Sequence, residues 1–133
     1  MRRLLLPVKG TLHDLRASDV AGLLAREVNG SVTVFNVKGP ELMTLEQGKL
    51  IDKIRSQLDE TYAVEVNYVS VQNQDISGAI LAEALKRYEY VVMGATDKEG
   101  SEKMVVGSTS GVVFENSPIP VIIVKNVAAG KKG

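Results

Sequence analysis

The 133-residue sequence contains no cysteine, no tryptophan and a single histidine, His13. The lack of cysteine excludes disulfide bonds, thiolate zinc sites and cysteine nucleophiles, and it fits the reducing cytoplasm, where we expect the protein to act. His13 has no second histidine with which it could form a metal site or a catalytic relay. We therefore interpret it as an exposed residue near the start of a helix, and we expect neither a metal-ligand cluster nor catalytic residues.

Neither sign of charge is in excess, because sixteen Lys and Arg residues balance sixteen Asp and Glu residues. Such a chain gives no reason to expect binding to nucleic acid or to an anionic membrane surface. The four tyrosines are not interleaved with basic residues, so they do not form an aromatic platform for single strands. The first apolar run, residues 4–8, is too short for a signal peptide or a membrane span. We expect no nucleic-acid partner and no membrane insertion.

Short apolar runs rich in branched residues alternate along the chain with segments of helical spacing. The predicted strands are residues 3–8, 31–37, 63–71, 90–93 and 121–124. The predicted helices are residues 11–29, 45–58, 75–88 and 110–115. This alternation predicts one domain with an α/β fold, in which helices cover both faces of an open, five-stranded parallel sheet.

Polar loops follow the first four predicted strands, with the sequences "PVKGT", "NVKGP", "VQNQD" and "GATDKEG". In a parallel sheet these loops all lie at the edge formed by the carboxyl ends of the strands. Ligands of open α/β sheets bind outside this edge, where the strand order reverses. The four loops are therefore the candidate binding region.

The last of these loops belongs to the stretch "GATDKEGSEKMVVGSTS", which runs from Gly94 to Ser110. Gly94 stands where the chain turns off a buried strand, and Gly107 allows a close approach of backbone to a ligand. Ser108 and Thr109 are good helix caps, so the N–H groups of the following short helix could face an anion such as a phosphate. The alternative interpretation is an ordinary glycine-containing loop followed by an ordinary helix cap.

The spacing of this stretch, from "VVM" through Gly94 to Gly107 and Ser108, and the ending "SPIPVIIVK" resemble the signature of the universal stress protein family. The resemblance covers nearly the entire chain and implies a Rossmann-like sheet with strand order 3-2-1-4-5. It implies a universal-stress-type domain over residues 1–126 and a flexible tail over residues 127–133. It also implies a regulatory protein of the stress response rather than an enzyme, with slow ATP hydrolysis left open.

The resemblance further implies a site for an adenine nucleotide, ATP or AMP, with Mg²⁺ as a companion ion. In that site Pro7 and Val37 line the adenine or ribose region, while Met93 and Gly94 lie beneath the nucleotide. The implied nucleotide-binding residues are Pro7, Val8, Lys9, Val37, Met93, Gly94, Thr96, Asp97, Gly107, Ser108 and Thr109. The last three of them meet the phosphates.

Two positions depart from the pattern of the ATP-binding members of the family. Those members carry an aspartate in the turn after the first strand and a glycine at the second position of the signature, where this sequence has Lys9 and Asp97. Asp97 would repel a triphosphate, whereas Lys9 would attract one. We expect the two side chains to form an ion pair across the site.

Three outcomes remain open after these departures. The site binds a nucleotide with fewer phosphates, such as AMP; it binds ATP in a shifted pose with the help of Lys9 or Lys98; or it binds nothing. In the third case the chain is a nucleotide-free, dimerising interaction module of the same fold, which docks on another protein such as a membrane transporter.

The predicted fifth strand lies at an open edge of a sheet with this order. Its residues, Val121, Ile122, Ile123 and Val124, are apolar and carry no charge that would discourage pairing with another strand. Family members commonly dimerise by antiparallel pairing of this strand, and the resemblance implies the same here. We expect a homodimer formed through the fifth strand.

Overall fold

The computed structural model describes residues 2–95 and 108–125. The elements are β1 (Arg3–Val8), α1 (Leu12–Glu27), β2 (Ser31–Lys38), α2 (Leu45–Glu60), β3 (Glu65–Gln72), α3 (Ile76–Ala84), β4 (Tyr90–Gly94), α4 (Ser108–Asn116) and β5 (Val121–Val124). All strand pairs are parallel, and the sheet order is β3-β2-β1-β4-β5. The predicted α/β fold and its strand order are confirmed.

Two apolar clusters lie on opposite faces of the sheet. The cluster beneath α1 and α2 contains Leu4, Leu6, Val8, Ala17, Ala21, Ala25, Val32, Val34, Ile51, Ile54, Leu58, Val64, Val92 and Val124. The cluster beneath α3 and α4 contains Leu5, Phe35, Val37, Ala79, Ile80, Ala84, Tyr88, Val91, Met93 and Val113. Successive side chains of a strand point to opposite faces, so a central strand buried on both faces needs a continuous apolar run. The run "LLL" in β1 meets this requirement.

Polar residues at the helix ends satisfy backbone groups that the helices leave unpaired. The Thr44 hydroxyl accepts the backbone N–H of Gln47 (3.1 Å), and the Gln47 side chain accepts the backbone N–H of Thr44 (2.9 Å), so α2 begins with a capping box. At the end of α1, Asn29 adopts a φ of 55°, and the N–H of Gly30 donates to the carbonyl of Ala25 (2.7 Å). The pair "NG" at positions 29 and 30, a common signal for the end of a helix, thus follows the end of α1.

The structure corrects several element boundaries, among them the ends of α1 and α2, which lie at Glu27 and Glu60 rather than at residues 29 and 58. α3 ends at Ala84 rather than near residue 88, because Tyr88 turns into the core, where its hydroxyl donates to Glu83 (2.7 Å) and accepts from Arg3 (2.9 Å). β3 begins two residues later than predicted, because Ala63 has a left-handed φ of 55° that no strand adopts. α4 begins at Ser108, two residues earlier than predicted.

Both edges of the sheet are open over the described residues. β3 and β5 each pair on one side only, with β2 and β4 respectively. Over residues 2–95 and 108–125, none of the helices combines the length and the apolar character that crossing a membrane requires.

Candidate functional site: a cavity at the carboxyl edge of the sheet

A cavity of about 510 Å³ lies outside the carboxyl ends of β1, β2 and β4. Its lining residues are Pro7, Val8, Lys9, Thr11, Leu12, His13, Asp14, Phe35, Val37, Ile76, Ile80, Met93, Gly94, Thr109 and Ser110. The volume falls within the range of roughly 300–1,000 Å³ that is usual for small-molecule sites. The cavity therefore occupies the edge at which the sequence predicts ligand binding.

The cavity has one apolar side and one polar side. Phe35 and Val37 from β2, Ile76 and Ile80 from α3, and Met93 from β4 form the apolar side. The polar side contains the β1–α1 turn and the first turn of α4. Because β1 lies between β2 and β4, the β1–α1 turn stands between the apolar wall of β2 and the start of α4.

Asp14 holds the β1–α1 turn together. Its Oδ2 atom accepts the backbone N–H groups of Lys9 (2.8 Å), Gly10 (2.7 Å) and Thr11 (2.9 Å). Gly10 has a φ of 92°, and a Cβ at this position would lie 2.6 Å from the carbonyl oxygen of Gln47. The turn therefore requires glycine at position 10, and it is held by a side-chain oxygen of Asp14.

A carboxylate at this place in a helix is expected to be an ordinary surface residue, and the structure corrects that interpretation of Asp14. The side chain is buried, with 7% exposure, and it lines the cavity. Burial raises the pKa of Asp14, while the three backbone N–H groups and the charge of Lys9 oppose the increase. The turn after β1 thus holds a carboxylate, although the position occupied by Lys9 does not supply it.

Gly94 brings the end of β4 close to the first turn of α1. A Cβ on Gly94 would lie 2.6 Å from the carbonyl oxygen of His13 and 3.0 Å from its carbonyl carbon. Glycine is needed here because the two backbone segments approach closely, and not because of backbone conformation, since the φ of Gly94 is not in the left-handed region. His13 itself is half-buried and lines the cavity, and its Nδ1 atom is buried with no hydrogen-bond partner among residues 2–95 and 108–125. The expectation that His13 is exposed was therefore wrong.

The first turn of α4 closes the polar side of the cavity. Thr109 lines the cavity, and the hydroxyl of buried Ser110 lies 3.4 Å from the carbonyl oxygen of Gly94. Ser108 is the first residue of the helix rather than a residue before it. Of the other predicted residues, Thr96, Asp97 and Gly107 lie outside the described residues, as does the predicted ion pair of Lys9 with Asp97.

Seven residues from the predicted set line this one cavity. They are Pro7, Val8, Lys9, Val37, Met93, Gly94 and Thr109. Sequence reasoning missed Thr11, Leu12, His13, Asp14, Phe35, Ile76, Ile80 and Ser110. Phe35 could have been predicted from the sequence, because it lies two residues before Val37 and therefore on the same face of the strand. The first residues of α3 carry no such signal, because their position depends on how that helix packs over the sheet.

A second cavity of about 470 Å³ adjoins the first. It lies beneath the β2–α2 loop, and its lining residues are Lys9, Asn36, Val37, Lys38, Gly39, Pro40, Glu41, Leu42, Met43, Thr44, Gln47, Gln72 and Ile76. Lys9, Val37 and Ile76 line both cavities. The exposed ammonium group of Lys9 is therefore available to a ligand in either one.

No group of three or more His, Asp or Glu side chains within residues 2–95 and 108–125 is arranged to hold a metal ion.

Comparison with known proteins identifies the family. The profile of the universal stress protein family matches residues 1–125. The chain belongs to the universal stress protein family. A universal stress protein of Methanocaldococcus jannaschii is 22% identical over 140 aligned positions, which cover 93% of this chain and 82% of the relative.

Solved structures of universal stress proteins share the fold. One, a universal stress protein in complex with cAMP, has a TM-score of 0.73 and 19% identity, covering 93% of this chain and 96% of the other. Another, a family member from Arabidopsis thaliana with AMP bound, has a TM-score of 0.70 and 13% identity, covering 99% and 97% of the two chains. These universal stress proteins and the present chain have the same architecture.

Proposed function

We propose that this chain is a regulatory universal stress protein that binds an adenine nucleotide, AMP or ATP, in the cavity at the carboxyl edge. The observation that carries the proposal is the cavity itself, which has an apolar wall on one side and the start of a helix on the other. Family members of the same fold contain cAMP or AMP. Binding, rather than turnover, is the proposed activity.

The walls of the cavity favour one orientation of the nucleotide. The flat, apolar faces of adenine pack against Phe35, Val37 and Met93. The phosphate lies at the amino end of α4, where the N–H groups of a helix's first turn, which have no partner within the helix, and the hydroxyl of Thr109 offer hydrogen bonds to an anion. Lys9, which is exposed at the same rim, adds a positive charge.

Calorimetric titration of the protein with AMP, ATP, cAMP and adenosine tests the proposal. Lys9→Ala is expected to weaken binding of the three anionic ligands by about tenfold at most, because an exposed charge contributes roughly 1 kcal/mol. It is expected to leave adenosine binding unchanged. Arg2→Ala, which removes an exposed charge at the opposite edge of the sheet, is the matched control and is expected to change neither.

A thermal-shift measurement provides a second readout. A ligand present at a hundredfold excess over its dissociation constant adds about 2.7 kcal/mol to the free energy of unfolding, which raises Tm by several degrees. Absence of both heat and a Tm shift for every nucleotide would show that the proposal is wrong. The nucleotide-free interaction module would then be the better account of the chain.

A further inference from the structure

Asp14 presents a fixed carboxylate to the first cavity. Among the described residues that line this cavity, Asp14 alone carries a carboxylate. Three backbone N–H groups bind a single oxygen atom of it, Oδ2, at 2.7–2.9 Å, so the side chain is held in one position. The hydrogen bonds of the turn make no use of Oδ1.

The strand order determines which part of a bound nucleotide meets this carboxylate. β1 lies between β2, which contributes Phe35 and Val37 to the apolar side, and β4, which precedes α4 in the chain. If the base packs on the apolar wall and the phosphate lies at α4, as the proposed function requires, the sugar lies above the β1–α1 turn. Asp14 lies in the first turn of α1, and its side chain binds the N–H groups of that β1–α1 turn.

The chemistry of the carboxylate suits a sugar and not a phosphate. An ionised carboxylate only accepts hydrogen bonds, and the hydroxyl groups of ribose donate them. A phosphate beside Asp14 would place two negative charges together in a partly buried site, where screening by water is weak. We propose that Asp14 is a specificity-determining residue, which accepts a hydrogen bond from a sugar hydroxyl and makes the site prefer ribonucleotides to deoxyribonucleotides.

The inference rests on the proposed function and is tested first on the parent protein. Titration calorimetry at neutral pH compares AMP with 2′-deoxy-AMP and 3′-deoxy-AMP. Loss of a hydrogen bond to a charged group is expected to weaken at least one deoxy analogue by about tenfold, which equals about 1.4 kcal/mol. This comparison needs no variant, so it holds even if a substitution at Asp14 prevents folding.

Asp14→Asn tests the residue itself. The asparagine keeps an oxygen that can accept the three N–H groups, but the other position of the side chain becomes an NH₂ donor. A ribose hydroxyl can accept a hydrogen bond from this NH₂ group, but a bond between neutral groups is weaker than one to a carboxylate. We therefore expect the variant to discriminate less than the parent between AMP and the deoxy analogues. Asp19→Asn is the matched control on the same helix, because Asp19 binds the hydroxyl of Tyr62 (2.8 Å) and does not line the cavity, and it should keep the discrimination.

The outcomes separate the two proposals. If the parent binds no nucleotide, the proposed function and this inference are both wrong. If the parent binds AMP but binds both deoxy analogues as tightly, or if Asp14→Asn discriminates as strongly as the parent, this inference alone is wrong. A merely structural role of Asp14 would lower all affinities together and leave their ratio unchanged.

Discussion

At the scale of single residues, the β1–α1 turn combines a buried negative charge with three backbone donors. Burial raises the pKa of Asp14, so the folded protein binds a proton at this carboxyl more readily than the unfolded chain does. Stability from this group is fully present below the unfolded pKa and is lost as pH rises through the folded pKa. The three backbone N–H groups limit the loss, since they favour the ionised form.

We therefore expect Asp14→Asn to change how stability depends on pH. As pH rises from strongly acidic values towards neutral, the free energy of unfolding of the parent should fall relative to that of Asp14→Asn, which cannot ionise. Urea unfolding of both proteins over this range measures the difference. A parent that instead gains stability relative to the variant with rising pH would mean that the pKa of Asp14 is lowered in the folded state.

Gly94→Ala tests the contact between β4 and α1. The added methyl group would lie 2.6 Å from the carbonyl oxygen of His13, so one of the two backbone segments must move. We expect a loss of about 1–3 kcal/mol in the free energy of unfolding, as for other overpacked sites. If Gly94→Ala and the parent have the same free energy of unfolding, close approach to α1 is not the reason for glycine at this position.

The sequence alone could not distinguish Asp14 from Asp19. Both carboxylates lie early in the same predicted helix, and nothing in their spacing distinguishes them. The difference is tertiary, because only Asp14 lies next to a turn whose three N–H groups point at its side chain. Gly94, by contrast, was identified from its place at the end of a strand, although the physical reason is packing against α1.

At the scale of elements, α2 carries a glycine that its surroundings do not require. Gly48 lies inside α2, and the nearest atom to an added Cβ would be the sulfur of Met43 at 3.8 Å. Gly48→Ala is expected to raise the free energy of unfolding by about 0.5–1 kcal/mol, because alanine loses less backbone entropy in a helix. Urea unfolding measures the change.

Gly22→Ala in α1 is the matched contrast. Its Cβ would lie 2.6 Å from ring atoms of Tyr62, which packs against the apolar cluster beneath α1 and α2. We expect Gly22→Ala to lower the free energy of unfolding, although it raises helix propensity by as much as Gly48→Ala does. Stabilisation by both substitutions would mean that Tyr62 moves aside at little cost.

The element boundaries show what hydrophobic spacing can predict. α1 and α2 follow from their apolar spacing and from the "NG" stop, because these signals are local. The end of α3 cannot be predicted from apolar spacing, because that spacing continues to Tyr88. Tyr88 lies beyond the helix, where its hydroxyl bonds the side chains of Glu83 and Arg3. Arg3 is 85 residues away in the sequence, so local spacing cannot reveal this contact.

At the scale of the whole molecule, we predict a homodimer formed through β5. The carbonyls of Pro120 and Val124 accept N–H groups of Val91 (3.0 Å) and Ala95 (2.9 Å). Backbone groups of alternate residues point to opposite sides of a strand, so those of Ile123 point away from β4. Their side of β5 pairs with no strand among the described residues.

Ile123→Pro removes an outward N–H without removing a bond to β4. Proline is tolerated on an edge strand when its nitrogen faces away from the ladder, so the domain should fold. Sedimentation should show a dimer for the parent and for the control Ile123→Val, and a monomer for Ile123→Pro. A monomeric parent, or a proline variant that dimerises as the parent does, would contradict pairing through β5.

The sheet order fixes which loops meet, and for this reason the sequence could predict which residues lie together at the carboxyl edge. Seven predicted residues line one cavity because the carboxyl ends of parallel strands lie together. The shape of the cavity could not be predicted, since it depends on how α3 and the β2–α2 loop pack over the strand ends. The second cavity, which shares Lys9, Val37 and Ile76 with the first, arises in this way.

The central claim is that an adenine nucleotide binds at the carboxyl edge, and an amide chemical-shift titration with AMP tests it most directly. The account predicts saturable changes at the amides of Lys9, Thr11, Val37, Gly94 and Thr109, which line the cavity. It predicts no change at Glu89, whose amide donates to the carbonyl of Arg3 at the opposite edge. Absence of any shift, or shifts confined to the opposite edge or to β5, would contradict the account.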